Sequence, residues 1–262
     1  MTQDQARYTH GFHGSVLRSH TWRTVENSAA YLLPELKPEH ELLDVGCGPG
    51  TITAGLAERV GRVVGVDSAD EVLEQARAAA PGVAFQVADV HELPFPDDSF
   101  DVVHAHQVLQ HVADPVRALR EMRRVCRPGG IVAARDSDYA GFTWFPVLPE
   151  LEEWNALYHR VARANGGAPD AGRELRAWAR QAGFAEVRSS SSTWCFADDE
   201  DRAWWGGMWA ERIVASGIAK QAVAEGFATE EDLGRLSEAW QRWAADADGW
   251  FSVLHGEIVC RA

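Results

Sequence analysis

The sequence predicts an α/β fold in which a mostly parallel sheet is covered by helices on both faces. Three observations indicate this fold. From residue 42 to 135, short apolar runs alternate with stretches of helical periodicity. These runs are rich in Val and Ile, without the polar alternation of half-exposed strands. A glycine-rich segment, DVGCGPG, overlaps the end of the first run. Parallel sheets of this kind bind ligands at the carboxyl ends of their strands.

The first half of the predicted core contains three strands. LLDVG, residues 42–46, is followed by the helical stretch GTITAGLAERV, and RVVGV by SADEVLEQARAAA. Ser68 and Glu71 have the spacing of a capping box at the start of this second helix, and Pro81 ends it. The third strand, VAFQV, leads into the proline-broken loop ADVHELPFPDDS.

The second half of the core adds two more strands. FDVVHA is the fourth strand, and Asp114 with Pro115 starts the helix VRALREMRRVC. RPGG then turns the chain into IVAAR, the fifth strand. Further along the chain, GRELRAWARQAGF reads as a helix closed by Gly183. AEVRSSSSTWCF and WFSVLHGEIVCRA read as two more strands, so we expect a seven-stranded, Rossmann-like sheet.

Helical segments surround this core. Residues 1–36 read as helical, with SHTWRTVENSAAYLL the strongest part, and residues 141–170 read as helical and rich in aromatics. Residues 198–248 are also helical, and an insert of this length is too long to be a plain loop. We therefore predict a helical lid. The predicted divisions are a cover (1–36), a core (37–140), a first lid part (141–172), a core helix and strand (173–197), a lid insert (198–248) and a final core strand (249–262).

Composition restricts the classes of partner. The 262 residues carry a formal net charge of −14 and no basic block, which argues against a nucleic-acid ligand. No apolar run approaches the ~18 residues of a membrane span, and the N-terminus lacks the pattern of a secretory signal. The four cysteines are scattered, as reduced thiols would be. We expect a cytoplasmic monomer or homodimer with a small-molecule substrate and no membrane partner.

The glycine-rich segment is the most specific feature of the sequence. Gly46, Gly48 and Gly50 are spaced two and two, whereas a dinucleotide fingerprint spaces its glycines two and three. Asp67 ends the second strand, where a carboxylate can accept hydrogen bonds from both hydroxyls of a ribose. Asp89 ends the third strand, where it can accept a bond from the exocyclic amine of an adenine. These features favour an adenosyl ligand.

Together, D-V-G-C-G-P-G-T, the distal V-D, A-D-V, L-P-F with F-D-V-V, and R-P-G-G resemble the class I S-adenosylmethionine-dependent methyltransferases. The branch they resemble is that of the UbiE-like enzymes of menaquinone and ubiquinone biosynthesis. The motifs cover residues 42–135 in order. The resemblance implies S-adenosyl-L-methionine as cofactor and S-adenosyl-L-homocysteine as product. It also implies that the glycine turn faces a methionine moiety, which carries no phosphate.

The resemblance also implies which residues hold the cofactor. The ligand would be lined by Gly46, Cys47 and Gly48, its ribose held by Asp67 with Ser68 beside it, and its adenine held by Asp89 and Val90. His106 and Gln107 would lie at the end of the fourth strand. Here the chain reads H-Q-V-L-Q-H, where family members often read N-x-x-L-H-W or N-x-x-L-H-H, so the contacts of this segment are open.

A second, narrower resemblance involves YTHGFHGSVLRSHTWRTVENSAAYLLP and WAERIVASGIAKQAVAEGFATEEDL. These segments are similar to fungal thiol methyltransferases that act on epipolythiodiketopiperazine metabolites, and to bacterial relatives of those enzymes. In that group an N-terminal tyrosine segment folds over the cofactor, which implies a contact from Tyr8. The same resemblance slightly favours a thiol as the methyl acceptor.

Candidate catalytic groups are those expected near the cleft. His10, His13 and His20 lie on the cover and His111 follows the fourth strand, where each could act as a base. For the three histidines of the cover, a surface or hydrogen-bonding role is favoured over catalysis. Asp136, Asp138 and Tyr139 follow the fifth strand, although the aspartates could instead cap the next helix.

Metal chemistry is not expected. His104, His106 and His111 are close in sequence, but His104 is expected to pack within the sheet, so we predict no metal site. The chain contains eleven tryptophans, which either pack the lid against the core or line a pocket for a planar or apolar acceptor.

The sequence thus predicts transfer of a methyl group to a small molecule, at a thiol sulfur, a phenolic or enolic oxygen, or a ring carbon. Ring-carbon methylation of the menaquinone type is the alternative within this class. A cyclase or isomerase that binds S-adenosylmethionine without methyl transfer is an alternative from another class. An NAD-dependent oxidoreductase is a third possibility, which the glycine spacing opposes.

Overall fold

The structure, a computed structural model, describes Thr9 and residues 19–262. Its strands are β1 (Glu41–Val45), β2 (Arg62–Asp67), β3 (Ala84–Val87), β4 (Phe100–His106), β5 (Cys126–Ser137), β6 (Thr143–Phe145), β7 (Glu186–Phe196) and β8 (Trp250–Arg261). Its helices are α1 (Val25–Ser28), α2 (Thr51–Ala57), α3 (Asp70–Ala79), α4 (Pro115–Val125), α5 (Pro149–Ala164), α6 (Ala171–Gln181), α7 (Asp199–Ala215), α8 (Gly217–Ala224) and α9 (Glu230–Ala245).

The strands form one mixed sheet in the order β3-β2-β1-β4-β5-β8-β6, with β7 also paired to β8. The pairs among β1 to β5 are parallel, and β8 runs antiparallel to β5, β6 and β7. The carboxyl ends of the parallel strands therefore meet at one edge. This arrangement confirms the predicted α/β class with a mostly parallel core.

The sheet differs from the prediction in its strand count. The described residues form eight strands rather than seven, and the additional strand is the three-residue β6. It lies in residues 141–170, which were expected to be helical, and pairs with the first residues of β8. An edge strand this short is fixed by its partner strand rather than by its own periodicity.

Two helix starts also differ from the prediction. Residues 19–36 form no continuous helix; their helical residues are 19–21, α1 and a 3-10 turn at Leu33–Glu35. Thr24 begins α1 with a capping box to Asn27, which interrupts the longer helix expected here. The expected capping box of Ser68 and Glu71 is absent from the described structure, because α3 follows Ala69, which has an extended backbone and no side-chain cap.

The hydrophobic core lies in three main layers. One cluster packs α4 and α6 on the sheet and a second packs α1 and α2 on the opposite face. A third cluster joins α5, α7, α8 and α9 to the ends of β7 and β8 through aromatic side chains. These four helices, here called the lid helices, lie in the segments 141–172 and 198–248 for which a lid is predicted. No helix in the described part of the chain is long and apolar enough to cross a membrane.

Candidate active site

A cavity of about 620 Å³ opens at the carboxyl ends of β1, β2, β3 and β4. One side, here called the glycine half, is formed by residues that directly follow these strands: 46–49, 67–69 and 87–91. The other side, the aromatic half, is formed mainly by Trp22, Tyr139, Trp194, Trp204, Trp205 and Trp209. The sheet thus provides one half of the cavity, and the lid and the N-terminal segment provide much of the other.

The glycine turn requires glycine for steric reasons. Gly46, Gly48 and Gly50 all have left-handed backbones, with φ of +66°, +53° and +81°. A Cβ added to Gly46 would lie 2.3 Å from Cγ2 of Val108, and one added to Gly50 would lie 2.9 Å from Cα of Ala76. The turn therefore leaves no room for a side chain at Gly46 or Gly50, and the left-handed backbone favours glycine at all three positions.

Asp67 lies at the end of β2 and faces the same turn. Its Oδ2 accepts a hydrogen bond from the Gly48 amide (2.9 Å), and its Oδ1 accepts one from the Ala69 amide (3.0 Å). Burial raises the pKa of this carboxyl, although the backbone hydrogen bonds oppose the rise. Each oxygen retains acceptor capacity, so the group can bind two adjacent hydroxyls. Cys47 and Ser68, both predicted site residues, line the cavity beside it.

Asp89 lies two residues after the end of β3, in the turn that follows the strand. Its Oδ1 accepts hydrogen bonds from the amide (2.9 Å) and Nδ1 (2.8 Å) of His91. Partial burial opposes ionisation, but these bonds outweigh it and the pKa of Asp89 is lowered. The side chain of Val90 is buried in the lining nearby. A carboxylate beside apolar side chains suits a flat, weakly polar ring that carries an amine. His91 is not among the site residues that the sequence predicts.

A buried pair of residues lies behind the glycine turn. Asp44 precedes the turn on β1, and its Oδ1 lies 2.8 Å from Nδ1 of His104, the residue opposite it on β4. Its Oδ2 accepts a hydrogen bond from Thr53 of α2 (2.6 Å). His104 is fully buried within the sheet, as predicted. This set of bonds connects the turn to both the sheet and α2.

His106 and Gln107 lie between the two halves. Both line the cavity, and His106 is buried. Burial, followed by the positive charges of Arg135 and Arg23, holds the pKa of His106 well below its usual value. Gln107 has a φ of +54°, which is rare for a residue other than glycine. Its side chain contacts Arg23, Ser137 and His255.

The aromatic half contains many of the tryptophans. Trp22 packs against the rings of Trp194 and Trp204 at 5.1 and 5.3 Å between centroids. Trp205 stacks on Phe196 at 4.3 Å. Other tryptophans, Trp154, Trp240 and Trp243, are fully buried in the lid cluster and do not line the cavity. Both roles considered for the tryptophans are therefore present, in different members.

Two candidate bases that line the cavity are poor proton acceptors. Burial lowers the pKa of His111 to about 3, with a further contribution from Arg23. Burial, together with the charges of Arg23 and Arg212, also holds the pKa of His20 well below its usual value. Burial raises the pKa of Tyr139, whose ring stacks on Tyr158 at 3.8 Å. Tyr8, His10 and His13 lie outside the described residues.

Asp136 is not placed as expected. It is fully buried and does not line the cavity, and its Oδ1 accepts a hydrogen bond from the Gln110 amide (3.0 Å). Burial raises its pKa to about 8. The reason is that β5 runs on to Ser137, which keeps this carboxyl inside the protein.

Asp138 is also buried and binds the backbone and guanidinium of Arg173 near the start of α6. This backbone bond resembles the capping role considered for it.

Comparison with known proteins identifies the family. Residues 43–134 match the model of a methyltransferase domain. An uncharacterised methyltransferase of Schizosaccharomyces pombe is 39% identical, over 98% of this chain and 96% of its own. A demethylmenaquinone methyltransferase of Staphylococcus aureus is 37% identical, over 45% of this chain and 49% of its own. The crystal structure of Bacillus subtilis YcgJ shares the fold, with a TM-score of 0.59 and 24% identity over 90% of this chain and 98% of its own.

The geometry agrees with this similarity. The glycine turn, Asp67 and Asp89 line one cavity at the carboxyl ends of the parallel strands, and the roles expected for them toward an adenosyl ligand stay predictions. The predicted enzyme class and cofactor are confirmed by the family. The chain belongs to the class I S-adenosylmethionine-dependent methyltransferases.

Proposed function

We propose that this enzyme methylates the thiol sulfur of a small, largely apolar molecule bound in the aromatic half. S-adenosylmethionine supplies a sulfonium methyl group that a nucleophile displaces in line. The observation that supports a thiol is the low pKa of His111, which burial lowers to about 3. A nucleophile in this cavity must therefore ionise without help from that histidine.

Acidity separates the candidate acceptors. A phenol ionises near pH 10 and a thiol near pH 8.5, so about a few per cent of a free thiol is already thiolate at neutral pH. An imidazole with a pKa of about 3 accepts a proton from either group only very unfavourably. The pKa of His20, which also lines the cavity, is lowered by burial in the same way. Sulfur is thus the nucleophile that depends least on a base.

The apolar lining favours the reaction itself. A thiolate and a sulfonium carry opposite charges, and both charges disappear as the methyl group is transferred. Aromatic side chains such as Trp204 and Trp205 solvate the separated charges poorly and exclude water, so they stabilise the less polar transition state relative to the reactants. They also provide a flat surface for an apolar acceptor.

The glycine half holds the cofactor in this proposal. Asp67 accepts the ribose hydroxyls, and Asp89 accepts the adenine amine through Oδ2, the oxygen that His91 does not occupy. The backbone of Gly46 and Gly48 lies against the methionine moiety. These residues orient the donor, and orientation alone can supply several kcal/mol of the rate enhancement.

Labelled-methyl transfer to a matched panel tests the proposal. The panel contains 2-naphthalenethiol, 2-naphthol and 1,4-naphthoquinol, each with S-adenosyl-L-[methyl-¹⁴C]methionine. We expect label on the thiol sulfur at least about tenfold faster than on the other acceptors. Label on oxygen or on a ring carbon instead would refute sulfur as the acceptor. An unlabelled product of unchanged mass and altered skeleton would support the cyclase alternative. Asp67→Ala should abolish most of the transfer, whereas the exposed Asp70→Ala, outside the cavity lining, serves as the matched control.

A further inference from the structure

Three uncharged polar side chains in the cavity lining have hydrogen-bonding capacity that no described residue uses. They are His106 at the end of β4, Ser137 at the end of β5 and Trp205 of α7. All three are buried, with exposed fractions of 5%, 2% and 6%. A buried polar group without a partner costs free energy, which a bound ligand can recover by pairing with it. From this placement we infer that His106 and Ser137 are specificity-determining residues that bind a carbonyl oxygen of the methyl acceptor.

His106 differs from the other histidines buried near it. Nδ1 of His104 lies 2.8 Å from Oδ1 of Asp44, and Nδ1 of His255 lies 3.0 Å from the carbonyl oxygen of Val253. Neither ring nitrogen of His106 has a partner among the described residues. Because burial and nearby positive charges hold its pKa well below the usual value, the ring is neutral and has one N–H donor and one acceptor.

The ring of His106 can change its orientation without losing a hydrogen bond. Both nitrogens are covered in this structure, so a ligand reaches them after the ring has turned about its Cβ–Cγ bond. The rings of Trp194 and His255 flank it at 5.9 and 6.3 Å between centroids. Turning therefore changes ring contacts and breaks no hydrogen bond to a described residue.

Gln107 determines which part of the Ser137 hydroxyl is already used. Nδ1 of His255 donates to the carbonyl of Val253, so Nε2 of His255 is an acceptor. Nε2 of Gln107 then donates to Nε2 of His255 (2.9 Å) and to Oγ of Ser137 (2.8 Å). The oxygen of Ser137 thus accepts a hydrogen bond, whereas its O–H has no acceptor among the described residues.

His106 and Ser137 lie in the same region, between the two halves of the cavity. Oγ of Ser137 and Nε2 of His255 bind the same nitrogen of Gln107. The ring of His255 in turn neighbours that of His106. One group of the acceptor can therefore contact both residues.

The unused groups are mainly donors. The O–H of Ser137, the N–H of neutral His106 and the indole N–H of Trp205 are three donors, and one nitrogen of His106 is an acceptor. None of these groups carries a charge. A carbonyl oxygen, which has two lone pairs and no proton, matches two such donors. The expected acceptor is therefore a thiol whose skeleton also carries an amide or ketone.

This inference rests on the proposed function for the identity of the bound molecule, but its test requires no turnover. Calorimetry on the complex with S-adenosylhomocysteine compares 2-naphthamide with 2-isopropenylnaphthalene, which has a similar shape and no hydrogen-bonding group. We expect 2-naphthamide to bind at least about fivefold more tightly. His106→Phe and Ser137→Ala should each reduce this ratio at least about threefold and leave 2-isopropenylnaphthalene binding within about threefold. His106→Gln, which keeps an N–H donor, should retain part of the ratio.

His40→Phe and Ser189→Ala are the matched controls. Both residues are outside the cavity lining, so these variants should leave the ratio unchanged. Urea unfolding checks that each variant is folded. Equal affinity for the two probes, no binding of either, or a ratio that survives both His106→Phe and Ser137→Ala would overturn the inference. Weaker binding of S-adenosylhomocysteine to His106→Phe, with the ratio unchanged, would assign His106 to the cofactor and also overturn it.

A comparison of two thiols connects this site with the reaction. 6-Mercapto-2-naphthamide should have a lower KM than 2-naphthalenethiol, and Ser137→Ala should abolish most of the difference. Equal KM values in the wild type would contradict the carbonyl site. Failure of methyl transfer to either thiol, with the naphthamide preference intact, would contradict the proposed function and not the carbonyl site.

Discussion

The two halves of the cavity are built in different ways. The glycine half is made of backbone amides and two carboxylates, all within a few residues of a strand end. The aromatic half is made of side chains from the N-terminal segment, β7, α7 and the turn after β5. Arg212 and Ser19, which are bonded there, are 193 residues apart in the sequence.

This difference suggests a division of roles. The glycine half depends on the geometry of the sheet, which few substitutions can change without disturbing folding. The aromatic half depends on rings and charges that lid helices carry, and these can be exchanged while the sheet remains intact. We therefore expect substitutions in the first half to affect the cofactor, and those in the second half to affect the acceptor.

The largest effect is expected from Gly46→Ala. The new Cβ would lie 2.3 Å from Cγ2 of Val108, at a φ of +66° that alanine rarely adopts. Together the strain and the overlap should lower the free energy of unfolding by about 2–4 kcal/mol. Urea unfolding measures the loss, and calorimetry with S-adenosylhomocysteine should show weaker binding.

Gly207→Ala is the control for this substitution. Gly207 lies in α7 of the lid, and a Cβ there would have no atom within 4 Å. We expect this variant to be unchanged or stabilised by about 0.5–1 kcal/mol, because alanine favours helix. If Gly46→Ala were as stable as Gly207→Ala, the glycine half would not depend on its turn.

Asp67→Ala should weaken the binding of S-adenosylhomocysteine by about tenfold to a hundredfold. A hydrogen bond to a charged group is worth about 1.5–3 kcal/mol, and the ribose would lose such bonds. Calorimetry measures the change. The affinity of the SAH-loaded protein for 2-naphthamide should stay within about threefold. A loss of naphthamide binding as large as that of the cofactor would show that the two halves are coupled.

Asp136→Asn examines the buried charge at the end of β5. Burial raises the pKa of Asp136 from 3.8 to about 8, so the folded protein retains a proton that the unfolded chain releases. Stability from this group is full below pH 3.8 and falls as pH rises toward 8. The Asp136→Asn variant cannot ionise at this position. Relative to it, the free energy of unfolding of the wild type should fall by about 1–3 kcal/mol between pH 5 and 7.5.

Urea unfolding of both proteins at the two pH values measures this difference. The exposed Asp248→Asn should keep the pH dependence of the wild type. Parallel curves for wild type and Asp136→Asn would mean that Asp136 is ionised in the folded protein, contrary to its burial.

The smallest effect is expected from His111→Asn. Because burial lowers the pKa of His111 to about 3, the imidazole stays neutral from pH 5 to 8 and should produce no limb in the pH profile of kcat/KM. The variant should lower kcat/KM by less than about fivefold and leave the profile unchanged. A hundredfold loss, together with the disappearance of a limb near pH 6–7, would identify His111 as a general base.

Much of the glycine half could be predicted because its signals are local. The spacing of the apolar runs predicted the parallel strands. Residues at or just after the ends of these strands, such as Asp67 and Asp89, then lie at one edge of the sheet. The three closely spaced glycines Gly46, Gly48 and Gly50 indicated a tight turn, and all three have positive φ in the structure. The roles assigned to these residues stay predictions that the experiments above examine.

The aromatic half could not be assembled from local patterns. Nothing in the sequence around Arg212 indicates that it reaches the same cavity as Arg23. Asp136 has the position of a site residue in the sequence, but the continuation of β5 buries it. The pairing of Asp44 with His104 depends on the register of β1 against β4. Strand β6 exists only because β8 provides its partner.

By itself, the sequence determined the α/β class, because the period of the strands is a property of short segments. Its ordered motifs in residues 42–135 also gave the resemblance that implied the enzyme family and the cofactor. Only the tertiary structure decided which side chains meet in the acceptor region, how deeply each titratable group is buried and therefore which can carry charge. The physical reason is that burial and charge depend on residues many positions apart, whose contacts form only when the lid packs on the sheet.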